Sequence, residues 1–288
     1  MSNYANPASL VSTQWVADHL ADPTVRLVEA SWGDDEYRSG HISGAVYWSF
    51  AEDLKKPELS DAPDADAMAV LLSRAGIEAA TTIVLYGNLS NLVAAYAFWL
   101  LKHYGHQDVR LLDGGRQRWL DEGRPVSTAL PVYLPTSYCI EPADRAIRAQ
   151  RDLILQAIDD PDWVIVDLRA PEMYLGVHKA NAQRGGHIPG AINVPAVRET
   201  DADGAFVCWR MPTVSIAWTF RPVDELRALF AQAGVTPDKK IITYCVLGGL
   251  SSHAWFVLTQ LLGYPNVREY DRSWAEWGNA AELPITAE

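Results

Sequence analysis

The chain has 288 residues, 49% of them hydrophobic and 21% charged, with 19 glycines and 17 prolines; that excludes a disordered chain, a collagen-like fibre and a coiled coil. At about 150 residues per domain the length suits two domains or one large one, with apolar mass for a real core. Lys and Arg number 24 against 36 Asp and Glu, a net charge of −12 with no basic block, which argues against nucleic-acid and acidic-lipid partners.

Met1 to Trp15 carry neither a charged leader nor an apolar stretch, so no signal peptide is read there. The longest apolar run, Leu92 to Leu101, has ten residues, against about 20 for a bilayer span, and no membrane association is expected. Cys139, Cys208 and Cys245 are few, odd in number and far apart. They fit a reducing cytoplasm better than a disulfide framework. No C-x-x-C or H-x-x-x-H spacing offers a metal site, so no metal is expected.

An internal repeat organises the chain. Ile83-Val84-Leu85-Tyr86 answers Ile241-Ile242-Thr243-Tyr244, Gly105 to Val109 answers Gly263 to Val267, and Trp119 answers Trp277, all at an offset of 158. Gly40-His41-Ile42-Ser43-Gly44-Ala45 answers Gly186-His187-Ile188-Pro189-Gly190-Ala191 at an offset of 146, so the second copy holds 12 additional residues between its matched blocks. A period this long indicates a duplicated domain rather than a solenoid. The copies span 9–124 and 148–284, joined by a proline-bearing bridge, 125–147, expected to lie extended along the surface.

The second copy alternates strand and helix signals in chain order. Trp163 to Val166 and Ala191 to Val194 read as strands, Val223 to Ala233 as a helix with Leu226, Leu229 and Phe230 on one face. Ile241 to Tyr244 is a buried strand, Ser251 to Leu262 a helix with Trp255, Leu258, Leu261 and Leu262 inward, and Val267 to Tyr270 the last strand. The expected fold is α/β, two similar domains, each a parallel sheet flanked by helices. The excess residues fall near Val207 to Phe220, an apolar stretch expected to form a surface hairpin, pair with another subunit, or lid a cleft.

The copies differ at one strand-to-helix junction. The first reads Tyr86-Gly87-Asn88-Leu89-Ser90-Asn91, the second Tyr244-Cys245-Val246-Leu247-Gly248-Gly249-Leu250-Ser251-Ser252. Cys245 thus replaces Gly87 at the carboxyl end of a parallel strand, where open α/β sheets bind ligands. The following loop, Val246, Leu247, Gly248, Gly249, Leu250 and Ser251, can curl its amides toward one centre, beside a helix N-terminus. Such surroundings favour a nucleophilic thiolate on Cys245. Cys139 and Cys208 have no such setting. His41 and His187 occur in both copies and read as structural, as do Trp119 and Trp277. Arg169, following a strand, is a substrate-binding candidate or an ion-pair partner of Asp167 or Asp271. Arg184, before Gly185-Gly186, is a clamp candidate or a solvated loop residue.

Nearly the whole chain resembles the tandem-domain rhodaneses, the thiosulfate and 3-mercaptopyruvate sulfurtransferases. The likeness rests on Ala30-Ser31-Trp32, Leu112-Asp113-Gly114-Gly115 and Trp119 in the first copy. In the second it rests on Asp167-Leu168-Arg169, Gly186 to Ala191, the Cys245 loop, and Tyr270-Asp271-Arg272-Ser273-Trp274-Ala275-Glu276-Trp277. Tyr244-Cys245 and Ser251-Ser252-His253 point toward the actinobacterial group. The resemblance implies a sulfurtransferase in which Cys245 takes a sulfane sulfur from a small donor and passes the persulfide sulfur to a thiol or cyanide, with no cofactor. It implies an inactive first domain and places Trp32 on a cleft between domains. Ser251 is expected to cap the helix beginning there, or to hydrogen-bond the persulfide.

Departures from the family pattern keep other readings open. Relatives commonly carry basic or hydroxyl residues in the loop, where this chain has Val246, Leu247 and Leu250. Arg272-Ser273-Trp274 stands for the usual Gly-Ser-Trp, and Met173 precedes Tyr174-Leu175-Gly176 where an arginine is frequent. Donor-anion binding would then fall to backbone amides and to Arg169, Arg184, Arg198 or Arg272, which disfavours the dianion thiosulfate. Alternatives are a repurposed enzyme acting on an organic substrate in specialised metabolism, and a non-catalytic binding or scaffold protein. A phosphatase with a C-x5-R loop is disfavoured because Ser251 holds the arginine's place.

Overall fold

The structure is a computed structural model that describes residues 3–59, 61–180, 182–200 and 206–287; side chains at 197–200 and 206–209 lie outside that description. The chain divides into two compact units. The N-terminal unit comprises Ala8–Asp144 with Ile216–Phe220, and the C-terminal unit comprises Arg145–Ser215 and Arg221–Glu288 with the residues up to Pro7.

The N-terminal unit is built on five parallel strands, β1 (Leu10–Val11), β2 (Val25–Ser31), β3 (Val46–Ser49), β4 (Thr82–Tyr86) and β5 (Val109–Leu112), in the order β1-β5-β4-β2-β3. Its helices are α1 (Thr13–Asp18), α2 (Asp35–Ser39), α3 (Ala65–Arg74), α4 (Leu92–His103) and α5 (Gly115–Asp121). The apolar run that is too short for a membrane forms α4, buried along its length except at Lys102. A helix apolar on every side belongs in a core, and α4 fills one.

The C-terminal unit repeats the plan. Helix α6 (Arg151–Ala157) leads into β6 (Trp163–Asp167), α7 (Pro171–Tyr174) and β7 (Ile192–Asn193), the last a shortened form of the expected Ala191 to Val194 strand. Strands β8 (Val197–Thr200) and β9 (Phe206–Arg210) pair antiparallel as a hairpin. Then come α8 (Val223–Gln232), β10 (Lys240–Tyr244), α9 (Gly249–Phe256), a π-helical turn at Val257–Leu261, β11 (Val267–Glu269) and α10 (Ser273–Trp277). The parallel sheet runs β11-β10-β6-β7.

The hairpin supplies β-structure for the excess residues. Their end, Ile216–Phe220, groups with the N-terminal unit, where the Phe220 amide donates to Asp113 Oδ1 at 2.9 Å. Residues 201–205 lie outside the description. The bridge packs against the N-terminal unit. Ser127 pairs with His41, the Tyr133 hydroxyl donates to the Gly44 carbonyl at 2.7 Å, and the Arg26 guanidinium lies 3.3 Å from the Tyr133 ring centre. No helix among the described residues is long and apolar enough to cross a membrane.

Candidate active site

Strand β10 lies between β6 and β11, so the chain leaves β6 toward β7 on one side and β10 toward β11 on the other. The carboxyl end of β10 is therefore a topological switch point, where open α/β sheets leave a crevice. Cys245 is the first residue beyond that end, with 2% of its surface exposed.

The loop after Cys245 turns on Gly248, which adopts φ +97°. Only glycine takes that conformation without strain. The turn brings the Gly248 amide 3.2 Å from Cys245 Sγ. Helix α9 starts at Gly249, two residues before the expected start, because Gly248 itself is the N-cap in left-handed conformation. Ser251 is thereby carried inside the helix and does not cap it. Its hydroxyl lies 3.4 Å from Cys245 Sγ, 3.2 Å from the Gly248 carbonyl and 2.6 Å from Glu269 Oε1. Val246, Leu247 and Leu250 are half-buried and bring no charge to the loop.

The far side of the loop is fixed by α10. The Cys245 amide donates to Ser273 Oγ at 3.0 Å, and Ser273 donates to the Tyr270 carbonyl at 2.7 Å. The amides of Trp274 and Ala275 donate to the carbonyls of Cys245 and Val246, both at 3.0 Å. In the sequence, Ser273 and Trp274 stand out only as marks of the resemblance. Glu269 gave no signal at all, since a single glutamate at a strand end reads as a solvated edge.

Arg169 has no exposed surface. It makes the ion pair with Asp167, Nη2 to Oδ2 at 2.6 Å, donates to the Gly186 carbonyl at 2.7 Å, and stacks 4.1 Å from the Trp274 ring centre. Of its two expected roles the geometry shows the ion pair, made with Asp167. Asp167 also accepts from the Tyr244 hydroxyl at 2.6 Å. Burial and that carboxylate push the Tyr244 phenol well above its ordinary range. The Arg184 guanidinium is no solvated loop group: it donates to the carbonyls of Leu283, Trp277 and Ala280 and ties down the segment that carries them. Arg272 pairs with Glu276 at 2.9 Å. Arg198 lies on β8 with its side chain outside the description.

Trp32 is 44% exposed, its ring 4.4 Å from Phe50 in the N-terminal unit. His41 stacks on Tyr37 and His187 on Tyr174, each with Nδ1 2.9 Å from that tyrosine's carbonyl, the same structural arrangement twice. Cys139 is exposed and distant from these motifs in sequence.

A strand-end thiol under a glycine turn, in the second of two matched parallel-sheet units, defines a class. The rhodanese-like domain profile matches residues 12–122 and 150–280, and the chain belongs to the rhodanese family. It is 44% identical to the sulfur carrier protein TtuD of Thermus thermophilus over 98% of both chains. It is 41% identical, over 96% of both, to a Mycolicibacterium smegmatis protein provisionally named a thiosulfate sulfurtransferase. Among solved structures, the anaerobic ergothioneine biosynthesis enzyme of Chlorobium limicola, bound to trimethyl histidine, aligns with a TM-score of 0.88 at 27% identity, over 99% of this chain and 71% of that one.

Proposed function

We propose that this protein is a sulfurtransferase that carries sulfane sulfur as a persulfide on Cys245. The observation that carries the reading is the placement of Sγ beyond β10, with the Gly248 amide 3.2 Å and the Ser251 hydroxyl 3.4 Å away. Those donors stabilise negative charge on sulfur, the state needed both to attack and to leave. A bond forms from Sγ to the donor's outer sulfur as the donor's own S–S or C–S bond breaks, the electron pair leaving with the donor remnant. An acceptor thiolate or cyanide then attacks the terminal sulfur and Cys245 departs as thiolate. This ping-pong cycle needs no metal or organic cofactor. The names of the full-length relatives, a sulfur carrier and sulfurtransferases, support an enzyme over a scaffold.

Intact-mass measurement after incubation with thiosulfate or 3-mercaptopyruvate tests the reading. The expected result is a gain of about 32 Da, one persulfide sulfur, that Cys245→Ala abolishes. No gain with either donor, while Cys245 still alkylates, would overturn the reading.

A second reading is sulfur transfer to an organic substrate. The uncharged loop of Val246, Leu247 and Leu250 favours it, as do the solved relatives: one of them holds a cysteine persulfide in a tetrahedral intermediate state with ergothioneine, at a TM-score of 0.88. The two readings share the Cys245 persulfide and differ in what receives its sulfur.

A further inference from the structure

Glu269 closes β11 with no exposed surface. The β10–β11 register sets it opposite Thr243, and Oε2 accepts from the Thr243 hydroxyl at 2.6 Å. Its other oxygen, Oε1, accepts from Ser251 at 2.6 Å, and that same serine lies against Cys245 Sγ. A serine hydroxyl has one proton to give and two lone pairs to receive with. Sγ, the Gly248 carbonyl and Glu269 therefore compete for one proton. A short O–H···O contact to a carboxylate is the strongest of the three. While Ser251 donates to Glu269, its oxygen faces Cys245 as an acceptor, and the S–H is the donor that fits it.

We propose that Cys245, Ser251 and Glu269 form a proton relay that takes up and returns the thiol proton, with no cation in the loop. The Cys245 S–H bond breaks as its proton passes to Ser251 Oγ, and Ser251 passes its own proton to Glu269 Oε1. The products are a thiolate, an intact serine and a neutral carboxylic acid, and the reverse transfer restores the starting state. No electrons are gained or lost. Two anions so close in a dry site are unfavourable together, so the relay carries one proton between the thiol and the carboxyl. Ser251 touches the reacting sulfur and is the catalytic member. Glu269 acts through it, as a positioning residue that aims the hydroxyl and stores the proton.

Other charged and titratable groups pack around this chain of contacts. Arg148 bridges Glu269 through its backbone and pairs with Asp271 at 2.8 Å. His253, on α9, is buried with Nδ1 3.4 Å from Thr213 Oγ1, and Tyr244, on β10, bonds Asp167. Arg268, on β11, lies over the Trp163 ring and Tyr270 bonds Glu276.

The inference rests on Cys245 being the nucleophile, and its test needs no sulfur donor. Iodoacetamide alkylation of the full chain, in a Cys139→Ser, Cys208→Ser background, is followed by intact mass across pH. Ser251→Ala, which takes the hydroxyl from the sulfur, is expected to slow alkylation at pH 7 by about tenfold and to move the rate profile to higher pH. Glu269→Gln removes the anion that shares the proton with the thiol and is expected to move the profile to lower pH. In a Ser251→Ala background that second shift is expected to shrink, because it passes through the serine. Glu269→Asp, which keeps the charge, should stay nearer the parent profile than Glu269→Gln. An unchanged profile in a folded Glu269→Gln chain, or additive single effects, overturns the relay; should Glu269→Gln not fold, an unchanged profile in Ser251→Ala does so alone. Loss of the sulfur adduct with the profile shifts intact would sink the persulfide reading and leave the relay standing.

Discussion

The two units close the same strand-end loop with different side chains. In the C-terminal unit Ser273, reaching in from α10, accepts the Cys245 amide at 3.0 Å and donates to the Tyr270 carbonyl at 2.7 Å. In the N-terminal unit the matched groups are the Gly87 amide and the Leu112 carbonyl. Asn91, from inside the loop, holds both, at 2.9 and 2.7 Å. Ser273 is answered there by Gly115, where a Cβ would lie 2.3 Å from Asn91 Oδ1. A Cβ on Gly87 would lie 2.3 Å from the Ala30 carbonyl oxygen. The loop closed from within has filled the space over its strand end. The loop closed from α10 keeps room for a thiol. Position 87 thus lacks a sulfur and, in its surrounding backbone, the room for a side chain.

A transplant would break this contrast most directly. In a Cys245→Ala chain, Gly87→Cys is expected to yield no sulfur adduct by intact mass. Gly87→Ala alone should lower stability by roughly 1–3 kcal/mol in urea unfolding, since backbone must shift to admit the methyl. Sulfur uptake by the transplant would show that the space is not closed.

The ion pairs at the sheet edges come next. Arg116 pairs with Glu29 at 3.0 Å and donates to the Gly40 carbonyl; Arg169 does the same for Asp167 and Gly186. The two arginines reach equivalent partners from different places in the chain. Arg169→Met strands a fully buried carboxylate and should cost about 3–5 kcal/mol. Arg116→Met should cost less, because burial already pushes the Glu29 carboxyl up and makes it easier to protonate. Equal losses in urea unfolding would show that the two edges are energetically alike.

A charge placed in the active loop sharpens the chemical difference. Val246→Arg should lower the thiosulfate KM roughly ten- to a hundredfold, one charge-assisted hydrogen bond of about 1.5–3 kcal/mol. The gain should shrink as salt rises. An unmodified enzyme that already shows a low micromolar KM for thiosulfate would mean that groups outside the loop hold the anion.

The smallest expected effect concerns Asp113 and its match, Asp271. Asp271 faces Arg148, whereas Asp113 receives a backbone amide, and burial pushes its carboxyl up to about 6 from 3.8. The folded state then holds this proton more tightly than the unfolded chain. Its contribution is most favourable below about pH 4 and is lost as pH rises through 6. Asp113→Asn should flatten that fall, raising stability at pH 7 by about 2 kcal/mol relative to the parent. A parent whose unfolding midpoint does not decline between pH 4 and 7 would contradict it.

Much of this contrast was legible as letters. The 158-residue offset pairs β4 with β10 and sets Gly87 against Cys245, because buried strands and their turns constrain side chains tightly. What escaped was contact between elements. Glu269 stands 18 residues after Ser251, and only the β10–β11 register and the pitch of α9 bring them together. Arg184 reads as a loop cation until the returning C-terminal segment supplies three carbonyls. Ser251 reads as a cap because serine commonly is one; the left-handed Gly248 had already taken that place. Asn91 looks like a loop residue, and its substitution for Ser273 emerges only from the superposed hydrogen bonds.

The strap from Pro125 to Asp144 changes where this gene divides into cassettes. By sequence likeness the first domain ends near residue 124, yet the Ser127 pairing with His41, the Tyr133 hydroxyl on Gly44 and the Tyr138 contact with His106 belong to its outer face. A fragment cut at the end of the repeat would strip the Tyr133 ring from the Arg26 guanidinium, 3.3 Å from its centre. The natural seam for shuffling, splitting or tagging is therefore about twenty residues downstream of the repeat boundary, between Asp144 and Arg145.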